Sequence, residues 1–226
     1  MSNAKVPRES FSFLQRLGEK NNREWFTEHK KEFKAIETSV KDFYNALLEK
    51  MKMHDEIEKL KMFRIYRDVR FSQDKTPYKT HFAGSFARAG EHRRGGYYLR
   101  LKPEETFIAA GFWEPNKEDL LRIRKELERD AAEFRETITA PGLSDKWGSI
   151  EGEELKTAPK GFDREHPDID LIRKKQFIFV RKFSDKEVMA PGFIDEANDS
   201  FKAIRPYFDL MSDILTTDLN GESLLK

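Results

Sequence analysis

Large apolar side chains recur every three or four positions along the N-terminal part of the chain. Phe11, Leu14 and Leu17 predict a short helix that ends at Gly18. Asn21, which precedes an acidic residue by three positions, is typical of a capped helix start. The long helix predicted after this cap has one apolar stripe, formed by Trp25, Phe26, Phe33, Ile36, Val40, Phe43, Tyr44, Leu47 and Met51.

A second pattern, in which apolar and polar residues alternate, predicts strands. It begins with residues 63–71, where Phe63, Ile65, Val69 and Phe71 alternate with polar positions. The predicted strand does not continue through Pro77, because proline has no backbone N–H to donate to a neighbouring strand. Further strands are predicted over residues 80–89, 97–101, 106–113 and 176–183, of which the middle two form a hairpin.

Two more amphipathic helices are predicted in the C-terminal half. Asn116 caps one that continues to near Pro141, and Ser184 caps the segment that leads to the other. The apolar stripe of the C-terminal helix consists of Phe193, Ala197, Phe201, Ile204, Phe208 and Met211.

This order of elements favours one class of fold. The strands are mostly sequential and joined by short connections, which is typical of antiparallel rather than doubly wound parallel sheets. We therefore predict an α+β fold with an antiparallel or mixed β-sheet flanked by amphipathic helices. Turn residues in the weakly periodic stretch 142–168 favour a single domain over residues 5–226.

Charge and composition exclude several classes of protein. The 226 residues include 42 basic and 41 acidic ones, so no overall field attracts nucleic acid or a membrane. The absence of cysteine excludes disulfides and thiolate nucleophiles and fits a reducing compartment. No apolar run reaches the roughly 20 residues that span a bilayer. We expect a soluble cytoplasmic protein without a membrane partner, preceded by a vector remnant at residues 1–4.

The arginine-rich segment 63–82 carries the candidate chemistry. On a regular strand Arg64, Tyr66 and Arg70 share one face, together with Asp68 and Ser72. Two guanidinium groups on one face can bind a carboxylate or a phosphate through paired hydrogen bonds. Arg67 lies on the apolar face, where it needs an acid, a carbonyl group or a ligand as partner.

The turn that follows adds Lys75, Tyr78, Lys79 and His81 to this cluster. His81 could act as an acid or base near neutral pH, although a lone histidine is more often structural. The predicted ligand-binding residues are thus Arg64, Tyr66, Arg67, Arg70, Lys75, Tyr78, Lys79 and His81.

No metal, cofactor or catalytic residue is indicated by the sequence. Its five histidines are scattered, without the spacing of metal ligands, and cysteine is absent. The basic glycine-containing loop 90–96 lacks the pattern of a nucleotide-binding turn. The cofactor is accordingly unknown. The sequence does not establish whether the protein is an enzyme, and it does not establish the oligomeric state.

Several motifs together resemble one family. They span residues 21–26, 64–72, 74–81, 96–98, 111–113, 158–162 and 166–167, with Pro115. The chain resembles the bacterial family known as domain of unknown function 2461, and the resemblance covers nearly the whole chain from Phe11 onward. It implies a stand-alone α+β protein, and it implies no particular reaction, cofactor or catalytic residue.

Three interpretations of the basic segment stay open at this stage. The first is a site for a small anionic ligand, such as a phosphate or carboxylate compound. The second is a nucleic-acid interface, because residues 61–82 hold six Lys or Arg and two Asp. The third is a structural ion-pair network in an interaction module, in which Asp68, Asp74 or glutamates neutralise the arginines.

Overall fold

The structure, a computed structural model, describes residues 4–225 and has the predicted α+β class. Met1, Ser2 and Asn3, which belong to the predicted vector remnant, lie outside the described residues, as does Lys226. The helices in the described part are α1 (Arg8–Glu19), α2 (Arg23–Glu28), α3 (Lys30–Met51), α4 (Lys117–Arg129), α5 (Ala132–Thr139), α6 (Pro141–Trp147), α7 (Ile169–Ile172), α8 (Asp185–Val188), α9 (Phe193–Ala203) and α10 (Arg205–Thr216).

One antiparallel sheet contains strands in the order in which they occur along the chain. The strands are β1 (Ile57–Met62), β2 (Phe82–Arg88), β3 (Gly96–Leu101), β4 (Thr106–Phe112) and β5 (Phe177–Phe183). This confirms the predicted hairpin and the antiparallel arrangement. Within residues 4–225, no helix combines the length and the apolar character needed to cross a membrane.

Contacts divide the chain into two compact units, each built from several stretches of sequence. Among the described residues, the first unit comprises residues 4–86, 98–108 and 182–198, and the second comprises residues 87–97, 109–181 and 199–225. The expected single domain over residues 5–226 stays a prediction.

In the first unit, α3 packs against one face of the sheet. The Phe33 and Phe82 rings lie 6.1 Å apart, as do the rings of Tyr44 and Phe86. The Tyr44 hydroxyl donates a hydrogen bond of 3.0 Å to the carbonyl oxygen of Leu99. Because side chains alternate between faces along a strand, the residues between these core positions point to the other face of the sheet.

In the second unit, the core centres on an aromatic residue of α10. The Tyr207 hydroxyl donates a hydrogen bond of 2.9 Å to the Phe177 carbonyl oxygen, and its ring contacts Phe179 edge-on. Trp147 donates from its indole nitrogen to the Ser200 carbonyl oxygen at 2.7 Å. Both buried donors of these aromatic residues are thereby satisfied.

The arginine-rich strand predicted over residues 63–71 is wrong. The edge strand β1 instead ends at Met62, and of the predicted apolar positions only Ile65 is fully buried. The ring of Phe63 is 37% exposed and that of Phe71 is 96% exposed. After β1 the chain leaves the sheet and pairs with its own continuation through an antiparallel bridge between Tyr66 and Tyr78.

Several helix boundaries also differ from those predicted. Asn22, rather than Asn21, caps α2 by accepting a hydrogen bond from the Trp25 backbone. The helix predicted to run from Asn116 to near Pro141 divides at Asp130, whose backbone is extended. The C-terminal helix likewise divides after Ala203, before a proline in the first turn of α10. The caps predicted at Asn116 and Ser184 are confirmed.

Candidate functional site

The structure distributes the predicted site residues over three neighbouring parts of the first unit. Three of them lie in a loop formed by residues 67–77, called here the 67–77 loop. Two tyrosines lie at the base of this loop, and the others lie at or beside the open face of the sheet. The loop residues are Arg67, Arg70 and Lys75, and the tyrosines at its base are Tyr66 and Tyr78. The residues at or beside the open face of the sheet are Arg64, Lys79 and His81.

Arg67 braces the 67–77 loop from within. Its guanidinium group donates to the Asp74 carboxylate and to the Thr76 hydroxyl. Asp74 also accepts a hydrogen bond of 2.9 Å from the Thr76 backbone. That bond and the bond from Arg67 lower the pKa of Asp74 to about 2. The acid partner that the sequence analysis required for Arg67 is therefore supplied by its own loop.

The other two cations of the 67–77 loop also have partners inside it. Arg70 binds the Asp68 carboxylate through two nitrogens, at 3.0 Å from Nε and 2.6 Å from Nη2, and its side chain is 77% exposed. Lys75 donates to the Val69 carbonyl oxygen at 3.0 Å. This part of the predicted site has the character of the structural network weighed above.

Tyr66 and Tyr78 form an aromatic cluster at the base of the loop. Tyr78 stacks on Phe26 with 3.9 Å between ring centroids, and Tyr66 contacts both rings. The Asn21 side chain both accepts from the Tyr78 backbone N–H and donates to its carbonyl oxygen. These contacts fix the position of the loop base on α2.

Beside the loop, the sheet face opposite α3 carries aromatic rings and positive charge. Tyr98 and Arg100 point to this face because Leu99 and Leu101, their neighbours on β3, are buried. The Tyr98 ring lies 6.2 Å from Phe63 and 5.6 Å from Phe107. We call this surface the electropositive face, and it consists of Lys61, Phe63, Lys79, His81, Tyr98, Arg100, Lys102 and Phe107, with Arg64 at its margin.

The cations of the electropositive face lie over its rings. The ammonium groups of Lys61 and Lys79 are 5.5 and 5.7 Å from the centroid of Phe63. The Arg100 guanidinium lies 4.5 Å from the centroid of Phe107. Such contacts orient a cation without neutralising it.

The positive charge perturbs the titration of nearby groups. Burial, followed by the charges of Arg100, Lys79 and Lys102, lowers the pKa of His81 to about 4. Burial and then the charge of Arg64 lower the pKa of Lys79. His81 is therefore a neutral imidazole at physiological pH, held among cations.

One acid, Glu105, partly offsets this charge. It pairs with Arg100 at 2.9 Å and also with Lys102. Among residues 4–225, Arg64 and Lys79 form no ion pair, and the buried Nε of Arg100 has no acceptor. The Arg64 and Lys79 side chains thus lie outside any ion pair, whereas the Arg100 Nε is enclosed by protein atoms.

Six members of this face were not among the predicted ligand-binding residues, namely Lys61, Phe63, Tyr98, Arg100, Lys102 and Phe107. The predicted hairpin contained a usable signal, because alternation places Tyr98 and Arg100 opposite the apolar residues of β3. The described residues contain no group of three or more side chains suited to hold a metal ion.

The comparisons with known proteins place the chain in one family. A family model described as conserved hypothetical protein (DUF2461) matches residues 9–210. No curated protein and no solved structure matches the chain. The family match covers most of the 226 residues and agrees with the resemblance found in the motifs. The chain therefore belongs to the DUF2461 family.

Proposed function

We propose that the protein binds a small anionic ligand, a phosphate or carboxylate compound, on the electropositive face. The observation that carries this proposal is the pair of cations, Arg64 and Lys79, which form no ion pair among residues 4–225. The charge of Arg64 also reaches Asp68, but that carboxylate is already bound by Arg70. The other basic side chains of the predicted site, Arg67, Arg70 and Lys75, are occupied within the 67–77 loop. The anion therefore goes to the sheet rather than to the loop.

Each free donor has a distinct role in this proposal. Arg64 supplies a planar fork that suits two oxygens of a carboxylate or phosphate, and Lys79 supplies a compact charge. Arg100, which pairs with Glu105, adds positive charge beside His81. The neutral imidazole of His81 lies near the same charges and can donate a hydrogen bond to the ligand or accept one from it. A cytoplasmic location, which the lack of cysteine favours, is part of the same proposal.

The test is ligand-induced stabilisation against heat. Inorganic phosphate, pyrophosphate and a dicarboxylate are each added to the wild type and to the variants Arg64→Gln and Lys79→Met. A ligand that binds the folded state raises the unfolding midpoint in proportion to the logarithm of its concentration. Because one charge-assisted hydrogen bond contributes about 1.5–3 kcal/mol, each variant should bind about 10-fold or more weakly.

The matched control is Lys41→Met, which removes one lysine of α3 that pairs with Glu37 at 3.5 Å. It changes the net charge as Lys79→Met does, and we expect unchanged stabilisation by the anion. The proposal is wrong if no anion raises the wild-type midpoint, or if Lys41→Met and Lys79→Met weaken binding equally.

A further inference from the structure

The tip of the 67–77 loop presents an aromatic side chain to solvent. Phe71 is 96% exposed, although burial of such a ring normally stabilises a protein by a few kcal/mol. The loop behind it is braced by the bonds from Arg67 to Asp74 and Thr76 and from Lys75 to Val69. A braced loop holds its tip in place before a partner binds, which reduces the entropy lost on binding.

The segment that carries this ring, residues 61–82, has an excess of positive charge. Both acids of segment 61–82 are already paired, Asp68 with Arg70 and Asp74 with Arg67. Four other basic residues of the segment have no acidic residue of the segment to balance their charge, and these are Lys61, Arg64, Lys75 and Lys79. A polyanion complements such a surface.

The loop tip and the electropositive face lie within reach of one extended ligand. The loop base is closed by a hydrogen bond of 2.7 Å from the Lys79 backbone to the Ile65 carbonyl oxygen. From Ile65, which this bond joins to Lys79, to Phe71 the chain extends at most about 21 Å. A few nucleotides of a single strand span such a distance, and non-specific binders of single strands use sites of about 4–16 nucleotides.

We propose that the phosphate groups bound at this site can belong to single-stranded nucleic acid, so that Arg64 and Lys79 bind the phosphates of a strand while one of its bases stacks on Phe71. This inference rests on the proposed function, because it uses the same two cations. An anionic membrane is a poorer partner for the tip, since Phe71 is the one exposed large apolar side chain of the 67–77 loop, and membrane binding strength scales with the apolar area buried. Bases have flat faces that stack on an aromatic ring regardless of sequence.

The test is fluorescence anisotropy with a labelled oligothymidylate of about 15 nucleotides. Phe71→Ala should weaken binding about 10-fold, because stacking of one base contributes about that much affinity. Phe71→Trp, which keeps an aromatic face, should bind as the wild type does. Met53→Ala is the matched control, because it removes another exposed apolar side chain of the same unit, and it should change nothing.

Two further ligands separate this inference from the proposed function. An abasic oligomer of equal length keeps the phosphates, and we expect it to bind the wild type and Phe71→Ala equally and about 10-fold more weakly than oligothymidylate binds the wild type. Inorganic phosphate should bind the wild type and Phe71→Ala equally.

The possible results lead to different conclusions. If phosphate binds through Arg64 and Lys79 but oligothymidylate does not bind, the nucleic-acid inference is wrong and the proposed function stands. If Phe71→Ala binds oligothymidylate as well as the wild type does, the inference is also wrong. If neither ligand binds, both proposals fail.

Discussion

The ammonium group of Lys79 lies 5.7 Å from the centroid of the Phe63 ring. This contact holds the lysine over an aromatic face without providing a counter-charge. Arg70, only nine residues earlier, instead binds a carboxylate through two nitrogens. The same basic segment thus contains a cation paired with an acid inside a loop and a cation that lies over an aromatic ring without an ion pair.

The low pKa of His81 makes stability depend on pH. The pKa is about 4 in the folded chain and 6.5 for an unperturbed histidine, so the unfolded state takes up the proton first as the pH falls. The contribution of the neutral His81 to the free energy of unfolding is therefore fully present above pH 6.5, and it is lost as the pH falls toward 4. Urea denaturation of wild type and His81→Gln at pH 7 and pH 5 measures it.

We expect His81→Gln to lose less stability than the wild type between these two pH values. His92→Gln is the control, because it removes an exposed histidine from the loop after β2. Between pH 7 and pH 5, His92→Gln should lose as much stability toward urea as the wild type does. An equal loss of stability in wild type and His81→Gln would contradict the buried, cation-surrounded position of His81.

A bound anion should reverse part of this pKa shift. Phosphate placed between Lys79 and Arg100 adds negative charge beside the imidazole and favours its protonated form. The pKa of His81 should therefore rise from about 4 toward its ordinary value when phosphate is present. Titration of the ring resonances by NMR, with and without phosphate, measures the shift, and an unchanged pKa in saturating phosphate would argue against binding beside His81.

The two arginines of the 67–77 loop should differ in their effect on stability. Arg67→Gln removes the group that donates to both Asp74 and Thr76 across the loop, whereas Arg70 forms an exposed pair with its near neighbour Asp68. We expect Arg67→Gln to lower the urea midpoint clearly and Arg70→Lys to leave it almost unchanged. Equal losses would show that the exposed pair also holds the loop.

Close packing between β2 and α3 gives a prediction about the fold. A methyl group at Gly84 would lie 2.8 Å from the Tyr44 ring and 2.9 Å from the Met62 sulfur. Gly84→Ala should therefore destabilise the protein by about 1–3 kcal/mol, as overpacking of a core does. Gly142→Ala, where no atom lies within 4 Å of the added methyl, should cost nothing in the same denaturation experiment.

The sequence predicted best those elements that are defined by local signals. The hairpin of β3 and β4 and the caps at Asn116 and Ser184 depend on residues that lie close together in the chain, and the structure confirms them. The edge strand β1 was missed because its residues are mostly exposed and alternate weakly. Residues 63–71 alternate more clearly, yet Phe71 is a loop tip, since alternation does not reveal where a strand leaves the sheet.

The candidate site was predictable only in part for a related reason. The sequence indicated a basic cluster, but it did not indicate that Asp74 returns to Arg67, or that Arg100 from another strand lies near His81. Pairing of this kind depends on how the chain folds back on itself. The net charge of the segment and the spacing of its arginines along the sequence are the same whether or not an arginine is paired. Neither therefore distinguishes a paired arginine from a free one.

The most direct measurement of the central claim is isothermal titration calorimetry of inorganic phosphate against wild type, Lys79→Met and Lys41→Met at low salt. We predict saturable binding at one site per chain in the wild type and in Lys41→Met, and binding about 10-fold weaker in Lys79→Met. Absence of saturable binding to the wild type, or equal affinity in all three proteins, would contradict an anion site on the electropositive face.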